Sequence, residues 1–283
     1  MERADRVVVS IYVNPGQFAQ GEDLSSYPRD LEGDLAKLRP LGVAAVFNPE
    51  DLYVRASSPS RETGAVSASR QGDTDENPAH RNGGATSSGA GGARDMVGGG
   101  GDGHETWIQV ERLQRPLEGR DRPIFFRGVA TIVAKLFNIV EPDYAFFGRK
   151  DYQQWRILER MARDLDFGVE VVGLPLLREP DGLAMSSRNV RLSPEERQKA
   201  LSISRGLFAA AERVSAGETS AASLTTDVRI AIESAGGKVD YVELVNGSSL
   251  LAEESVSSSS VLVVAARFGS VRLIDNVEFR SNK

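Results

Sequence analysis

Apolar positions along this chain follow two periods, and the change from one to the other outlines its elements. In the middle of the chain Val129, Ile132, Val133, Leu136, Phe137 and Val140 return at helical spacing, which predicts an amphipathic helix that Pro142 ends. Residues 144–147 (YAFF) are then wholly apolar, the pattern of a strand buried in a parallel sheet. Gly148 breaks that run, and Arg149-Lys150-Asp151 stand where the strand hands over to a helix predicted over 151–166. Ligands bind outside the carboxyl ends of strands in open α/β sheets, so this turn is placed for chemistry. On the helix after it, Gln154, Leu158, Met161 and Leu165 share one face. That face aims Gln154 inward near the strand end, where a buried amide needs partners.

The same patterns organise the rest. Residues 7–13 (VVVSIYV) predict a strand apolar on both faces, buried and parallel, ending in the turn-forming Asn14-Pro15-Gly16-Gln17-Phe18. Asn14 and Gln17 would project from its carboxyl end, where each amide offers a donor and an acceptor; the plainer alternative is a turn with no further role. A helix over 28–38 and a strand over 43–47 complete a βαβ unit. After a strand over 169–174, Ser193-Pro194-Glu195-Glu196 carries a capping box and opens a helix predicted to reach about residue 214. Strands over 239–245, 261–267 and 271–277 then read as a small α+β region. Residues 56–103 are nearly devoid of large apolar groups. They cannot bury enough surface to offset the entropy of ordering, which predicts a disordered insert.

Composition narrows the function classes. The 283 residues include no cysteine, so disulfides and thiolate metal sites are excluded. A net charge of −6 argues against broad nucleic-acid binding. No apolar run approaches the ~20 residues of a membrane span, and the first residues have no signal- or transit-peptide character. A cytoplasmic protein is expected, with any anionic substrate met by local positive charge.

Three segments in order carry a more specific signal: VSIYVNPGQF near the start, FFGRKDYQQ in the middle and DGLAMSSRN beyond it. Together they resemble pantothenate synthetase (pantoate–β-alanine ligase), its plant-type members above all, over nearly the whole chain apart from the insert. The resemblance implies an α/β fold: a nucleotidylyltransferase-type, Rossmann-like parallel sheet domain with a smaller α+β C-terminal domain. Residues 1–55 and 104–177 would form the first and 178–283 the second. The implied activity is ATP-dependent condensation of pantoate with β-alanine through a pantoyl adenylate, with ATP as substrate and Mg²⁺ bound largely through its phosphates. Lys150 and Arg188 match the cations that face the phosphates, and Ser186 and Ser187 supply hydroxyls beside them. Gly148, Arg149, Asp151, Leu177 and Met185 complete the nucleotide site, Asp151 toward ribose or metal. Asn14, Gln17 and Gln154 match the substrate site, the two glutamines as the amides that hold pantoate; Gln17 also faces β-alanine. No protein metal ligands are implied. A homodimer through the first domain is implied as well.

Two departures stand out. Many members have histidine where this chain has Phe125, a phenylalanine that plant-like sequences share. The family also opens with a strand and a His-x-Gly-His element that holds the phosphates, and this sequence begins after it. His80 and His104 have neither the spacing nor the helix start to replace it. The expectation is a chain truncated ahead of Met1 and inactive in adenylate formation as it stands. Another nucleotidylyltransferase, or an inactive paralogue acting as a partner subunit, are the competing readings.

Overall fold

The computed structural model describes residues 4–18, 24–53 and 104–279; the predicted insert, 56–103, lies outside the described residues. The chain divides into two units, Met1–Leu52 with Thr106–Lys283, and Tyr53–Glu105. In the second, the Tyr53 and His104 rings meet edge-on with centroids 4.9 Å apart. Everything below concerns the first.

Strand β1 (Val8–Ser10) pairs in parallel with β2 (Ala45–Phe47), with helix α1 (Leu31–Leu38) between them in sequence. This is the predicted βαβ unit with shorter elements. Asp30 sets the start of α1, because its carboxylate accepts from the Gly33 amide at 3.0 Å and so acts as an N-cap, outside the helix it was expected to join. The short α2 (Glu118–Asp121) precedes α3 (Phe125–Val140), whose apolar stripe buries Val129, Ile132, Val133 and Phe137. Glu141 ends α3 in a left-handed conformation at φ 50°, one residue before Pro142. Strand β3 (Tyr144–Gly148) then pairs in parallel with β4 (Glu170–Leu174), across α4 (Tyr152–Asp164).

The parallel strands form two separate pairs, and this corrects the burial expected of them. Among the described residues β1 bonds only to β2, and β3 only to β4. Val8 is 42 % exposed and Phe146 45 % exposed. Each pair leaves edges and a face without cover, so wholly apolar runs here do not mean two buried faces.

After β4 come α5 (Pro194–Ser215) and α6 (Ala221–Ser234), then β5 (Lys238–Asn246), β6 (Ser260–Phe268) and β7 (Val271–Glu278). These last three form an antiparallel sheet with β6 central. The capping box at α5 is present: the Glu196 amide donates to Ser193 Oγ at 3.1 Å, and the Ser193 amide to Glu196 Oε2 at 2.8 Å.

Strand β6 explains how the site is assembled. Its side chains alternate between faces, and both faces are buried. Leu262, Val264 and Ala266 pack with Leu201 and Leu207 of α5 and with Leu224 and Ile232 of α6. Val261, Val263 and Ala265 pack with Leu117, Phe126 and Ile157, which precede the sheet in the chain. The antiparallel sheet is therefore held between its own helices and the α2–α4 region. That second contact brings β7 beside the turn that follows β3.

Candidate active site

A cavity of about 900 Å³ opens where these elements converge. Gln17, Gly148, Lys150, Asp151, Gln154, Leu177, Met185, Ser186, Ser187 and Arg188 all line it. Residues predicted from three separate stretches thus meet at one place. Two of the predicted residues, Asn14 and Arg149, are not among those that line it.

Asn14 is buried beneath the Pro15–Gln17 turn and caps it: its Oδ1 accepts from the Gly16 amide at 3.1 Å. Its Nδ2 donates to Gln17 Oε1 at 3.1 Å and to Gly128 O at 3.2 Å. Asn14 therefore holds Gln17 in place and ties the turn to α3. The approach is close at Gly128, where an added Cβ would lie 2.1 Å from Gly16 O. Only a residue without a side chain lets the helix touch the turn there. Arg122 also reaches this turn, donating to Gln17 O at 3.4 Å while its guanidinium stacks on Phe125.

Arg149, expected on the nucleotide, turns the other way and pairs with Glu278 of β7 at 2.6 Å. Lys150 lines the cavity with its ammonium 3.2 Å from the Asp151 carboxylate. Asn276 supports this turn from β7, its Nδ2 donating to Arg149 O at 2.9 Å and Lys150 O at 3.1 Å.

On α4 the buried amide belongs to Gln153, where the sequence pattern had placed it at Gln154. Gln153 Nε2 donates to Leu113 O at 2.8 Å and Pro116 O at 2.7 Å, and its Oε1 accepts from the Glu118 amide at 3.1 Å. Gln154 is half-buried at the cavity wall. Leu165 leaves the predicted stripe because α4 ends at Asp164, and it is exposed.

The segment after β4 folds back on itself, with Arg178 opposite Ala184 and the Met185 amide donating to Leu177 O at 3.0 Å. Leu177 and Met185 expose their apolar side chains at the cavity. Ser186 caps the Ser187–Arg191 turn, accepting from the Arg188 amide at 3.2 Å. Ser187 Oγ lies 2.9 Å from the Tyr27 hydroxyl, and the Arg188 guanidinium sits 5.4 Å above the Tyr27 ring. Sequence reasoning missed Tyr27, which stands alone in a polar stretch.

It also missed a polar cluster from the C-terminal sheet. Arg272 donates to Glu118 at 2.6 Å and to Asp240 at 2.6 Å, and Tyr241 donates to Glu118 at 2.9 Å. Burial, aided by the Glu118 charge, pushes the Tyr241 phenol well up, so it acts as a donor. Burial alone would lower the Arg272 pKa, but Glu118 and Asp240 outweigh it and hold the guanidinium charged. One signal was legible: Asp275-Asn276, two polar residues inside an apolar strand, cannot both face solvent when neighbours alternate.

The chain's Pantoate-beta-alanine ligase family match spans residues 1–278. The chain belongs to this family. Membership makes it a ligase of pantothenate formation. It is 54 % identical over 276 residues to the pantoate–β-alanine ligase of Arabidopsis thaliana, covering 97 % of this chain and 82 % of that one. The rice enzyme (Oryza sativa subsp. japonica) is 52 % identical, over 96 % of this chain and 79 % of its own. Among solved structures, pantothenate synthetase from Thermus thermophilus superposes with a TM-score of 0.78 at 38 % identity, over 99 % of this chain and 86 % of that one. A second family structure, pantoate-β-alanine ligase from Francisella tularensis, was solved with a β,γ-ATP compound and β-alanine. It matches with a TM-score of 0.65 at 25 % identity, over 99 % of this chain and 82 % of its own.

Proposed function

We propose that pantothenate is made in two steps inside the cavity described above. A pantoate carboxylate oxygen attacks the α-phosphorus of ATP, and the bond to pyrophosphate breaks. The neutral amine of β-alanine then attacks the acyl carbon; the bond to AMP breaks, and the amine proton leaves to solvent. The observation that carries this reading is convergence: Gln17, Gln154, Lys150 and Ser186 to Arg188, from three stretches far apart in sequence, line one cavity.

Lys150 and Arg188 face the phosphates and stabilise charge as it moves during transfer. Ser186 and Ser187 add hydroxyls, and Tyr27 fixes Ser187 and Arg188. The exposed apolar surfaces of Leu177 and Met185 offer the adenine a wall, with Gly148 and Asp151 completing the nucleotide site. Gln17 and Gln154 hold pantoate, and Gln17 also meets β-alanine. Asn14 and Arg149 serve this site indirectly, the one by orienting Gln17 and the other by anchoring its turn to β7. Holding the reactants together supplies much of the rate, because both steps join bound molecules.

The family resemblance further supports Mg²⁺ carried on the phosphate oxygens, a homodimer through the first domain, a cytoplasmic location and the two-domain division at 177/178. Among the described residues there is no group of three or more acidic or histidine side chains placed to hold a metal. No helix among them is long and apolar enough to cross a membrane.

The test is pantoate-dependent release of pyrophosphate from ATP by the full-length protein and its Lys150→Ala and Arg188→Ala variants. Each variant should lose about 100-fold or more in rate while keeping its circular dichroism spectrum. Wild-type turnover by either would overturn its assignment.

A further inference from the structure

Two consecutive residues of β7, Asp275 and Asn276, are polar and buried, and they point to opposite faces of the strand. On one face Asp275 takes the Arg178 guanidinium, at the root of the segment that leads to Arg188. On the other, the Asn276 amide donates to two successive carbonyls, Arg149 O at 2.9 Å and Lys150 O at 3.1 Å. Glu278, two residues on and on the same face, grips the Arg149 side chain at 2.6 Å. The turn that carries Lys150 is thus held by a strand more than a hundred residues away in the chain.

The chemistry at 276 is selective. A primary amide has two N–H groups on one nitrogen, enough for one carbonyl each. A carboxylate has no donor when ionised, a hydroxyl has one, and an apolar side chain would leave both carbonyls short of a partner. Of these groups only the amide gives each carbonyl a donor of its own.

We propose that Asn276 is a positioning residue for Lys150, fixing the backbone from which the ammonium enters the cavity. The inference rests on the assignment of Lys150 to the phosphates of ATP. A lysine ammonium rides on a flexible four-carbon stem, so its aim depends on the backbone at its root. Displacing a reacting group by as little as 1 Å can cost about 100-fold in rate. Asn276 stands at the cavity wall, but both N–H groups of its amide are spent on the turn, and it is through the turn that it acts on Lys150.

The test compares the full-length protein with Asn276→Leu, Asn276→Ala, Lys150→Ala and the double variant Asn276→Leu with Lys150→Ala. Leucine keeps the volume and shape but has no donor, and alanine serves if leucine disturbs folding. The readouts are kcat and KM for ATP, pantoate and β-alanine separately, together with the melting temperature. The expected result is a loss of about 10- to 100-fold in kcat/KM for ATP, with the KM for β-alanine unchanged. The double variant should be no slower than Lys150→Ala alone, because residues that act as one unit do not add. A lower melting temperature with unchanged ATP kinetics would reduce Asn276 to a structural role and overturn the inference. Full additivity in the double variant would also overturn it, since Asn276 would then act elsewhere. Wild-type kinetics in Lys150→Ala would instead remove the assignment of Lys150 on which the inference stands.

Discussion

Arg178 and Asp275 meet in a two-bond ion pair, Nη1 to Oδ2 at 2.7 Å and Nη2 to Oδ1 at 2.9 Å, with the carboxylate buried. Burial is the main influence on Asp275 and pushes its carboxyl above the usual range, against the opposing pull of Arg178. Arg178→Ala should therefore cost about 3–5 kcal/mol, because it leaves a buried charge uncompensated. Replacing both partners, Arg178→Met with Asp275→Leu, should cost much less. A carboxyl whose folded pKa is raised binds its proton more readily in the folded state, so the Arg178→Ala deficit should shrink as pH falls through that raised value. Urea unfolding at several pH values checks both points; a deficit that grows toward acid would contradict the buried-charge account.

Gly128→Ala sets two opposing effects against each other. Alanine in a helix interior is worth about 1 kcal/mol over glycine. Here the added Cβ would fall 2.1 Å from Gly16 O, a backbone atom that cannot swing aside. Overpacking of this kind costs about 1–3 kcal/mol, so the clash should win. The turn would shift with Asn14 and Gln17 on it, and the KM for pantoate should rise several-fold more than the KM for ATP. A variant with unchanged pantoate KM would show that the contact between α3 and the turn does not set the aim of Gln17.

Gln17→Ala and Gln154→Ala test the substrate subsite directly. Each should weaken pantoate binding by about 10-fold, the loss of one to two net hydrogen bonds, with ATP affinity nearly intact. Calorimetric titration with each substrate separates the outcomes. Equal loss for ATP would move the glutamines to the nucleotide side.

The Glu179 carboxyl is held below its ordinary value of 4.5, first by hydrogen bonding to Arg197 and then by Asn189. A depressed carboxyl contributes stability that is full above its ordinary value and lost as pH falls through the lower folded value. Arg197 also pairs with Asp181 at 2.7 Å, and that carboxyl is lowered too, mainly by the Leu183 amide. The stability gap between wild type and Arg197→Ala should accordingly be largest above pH 4.5 and close below it. Acid titration of the unfolding free energy reads this, and a gap that is independent of pH would rule out the linkage.

What could be read from the sequence was what neighbours in the chain decide. The Ser193 capping box needs only residues 193 and 196, and it stands as predicted. The α3 stripe and its end before Pro142 are likewise local. Lys150 and Arg188 were singled out because each sits in a distinctive short segment, and both line the cavity. The reading failed where distant carbonyls decide. Helical spacing put Gln154 on the apolar face, but Gln153 is the buried amide, because Leu113 O and Pro116 O lie on its side of α4. Asn14 reads as a substrate ligand until its burial under the turn is seen. For β1 and β3, apolar runs overstated burial, since the cover on a sheet comes from elements that the run does not encode.

The path from Arg188 to α5 has a fixed length. The Arg188 amide bonds back to Ser186, the Leu192 amide bonds to Asn189 O at 3.2 Å, and Ser193 starts the helix. One turn further along, Arg197 reaches back to Glu179 at 2.6 Å, while Asn189 reaches the same carboxylate. The stretch from 179 to 197 is thus a closed ring of contacts with no slack. A single residue inserted between Arg188 and Ser193 falls outside α5, which its core packing holds in place, so it would have to bulge within this ring and displace Arg188 or the contacts of Arg197 with both acids. For anyone altering this protein, loop length there is as fixed as residue identity, and changes of substrate preference have to be sought at the cavity wall instead.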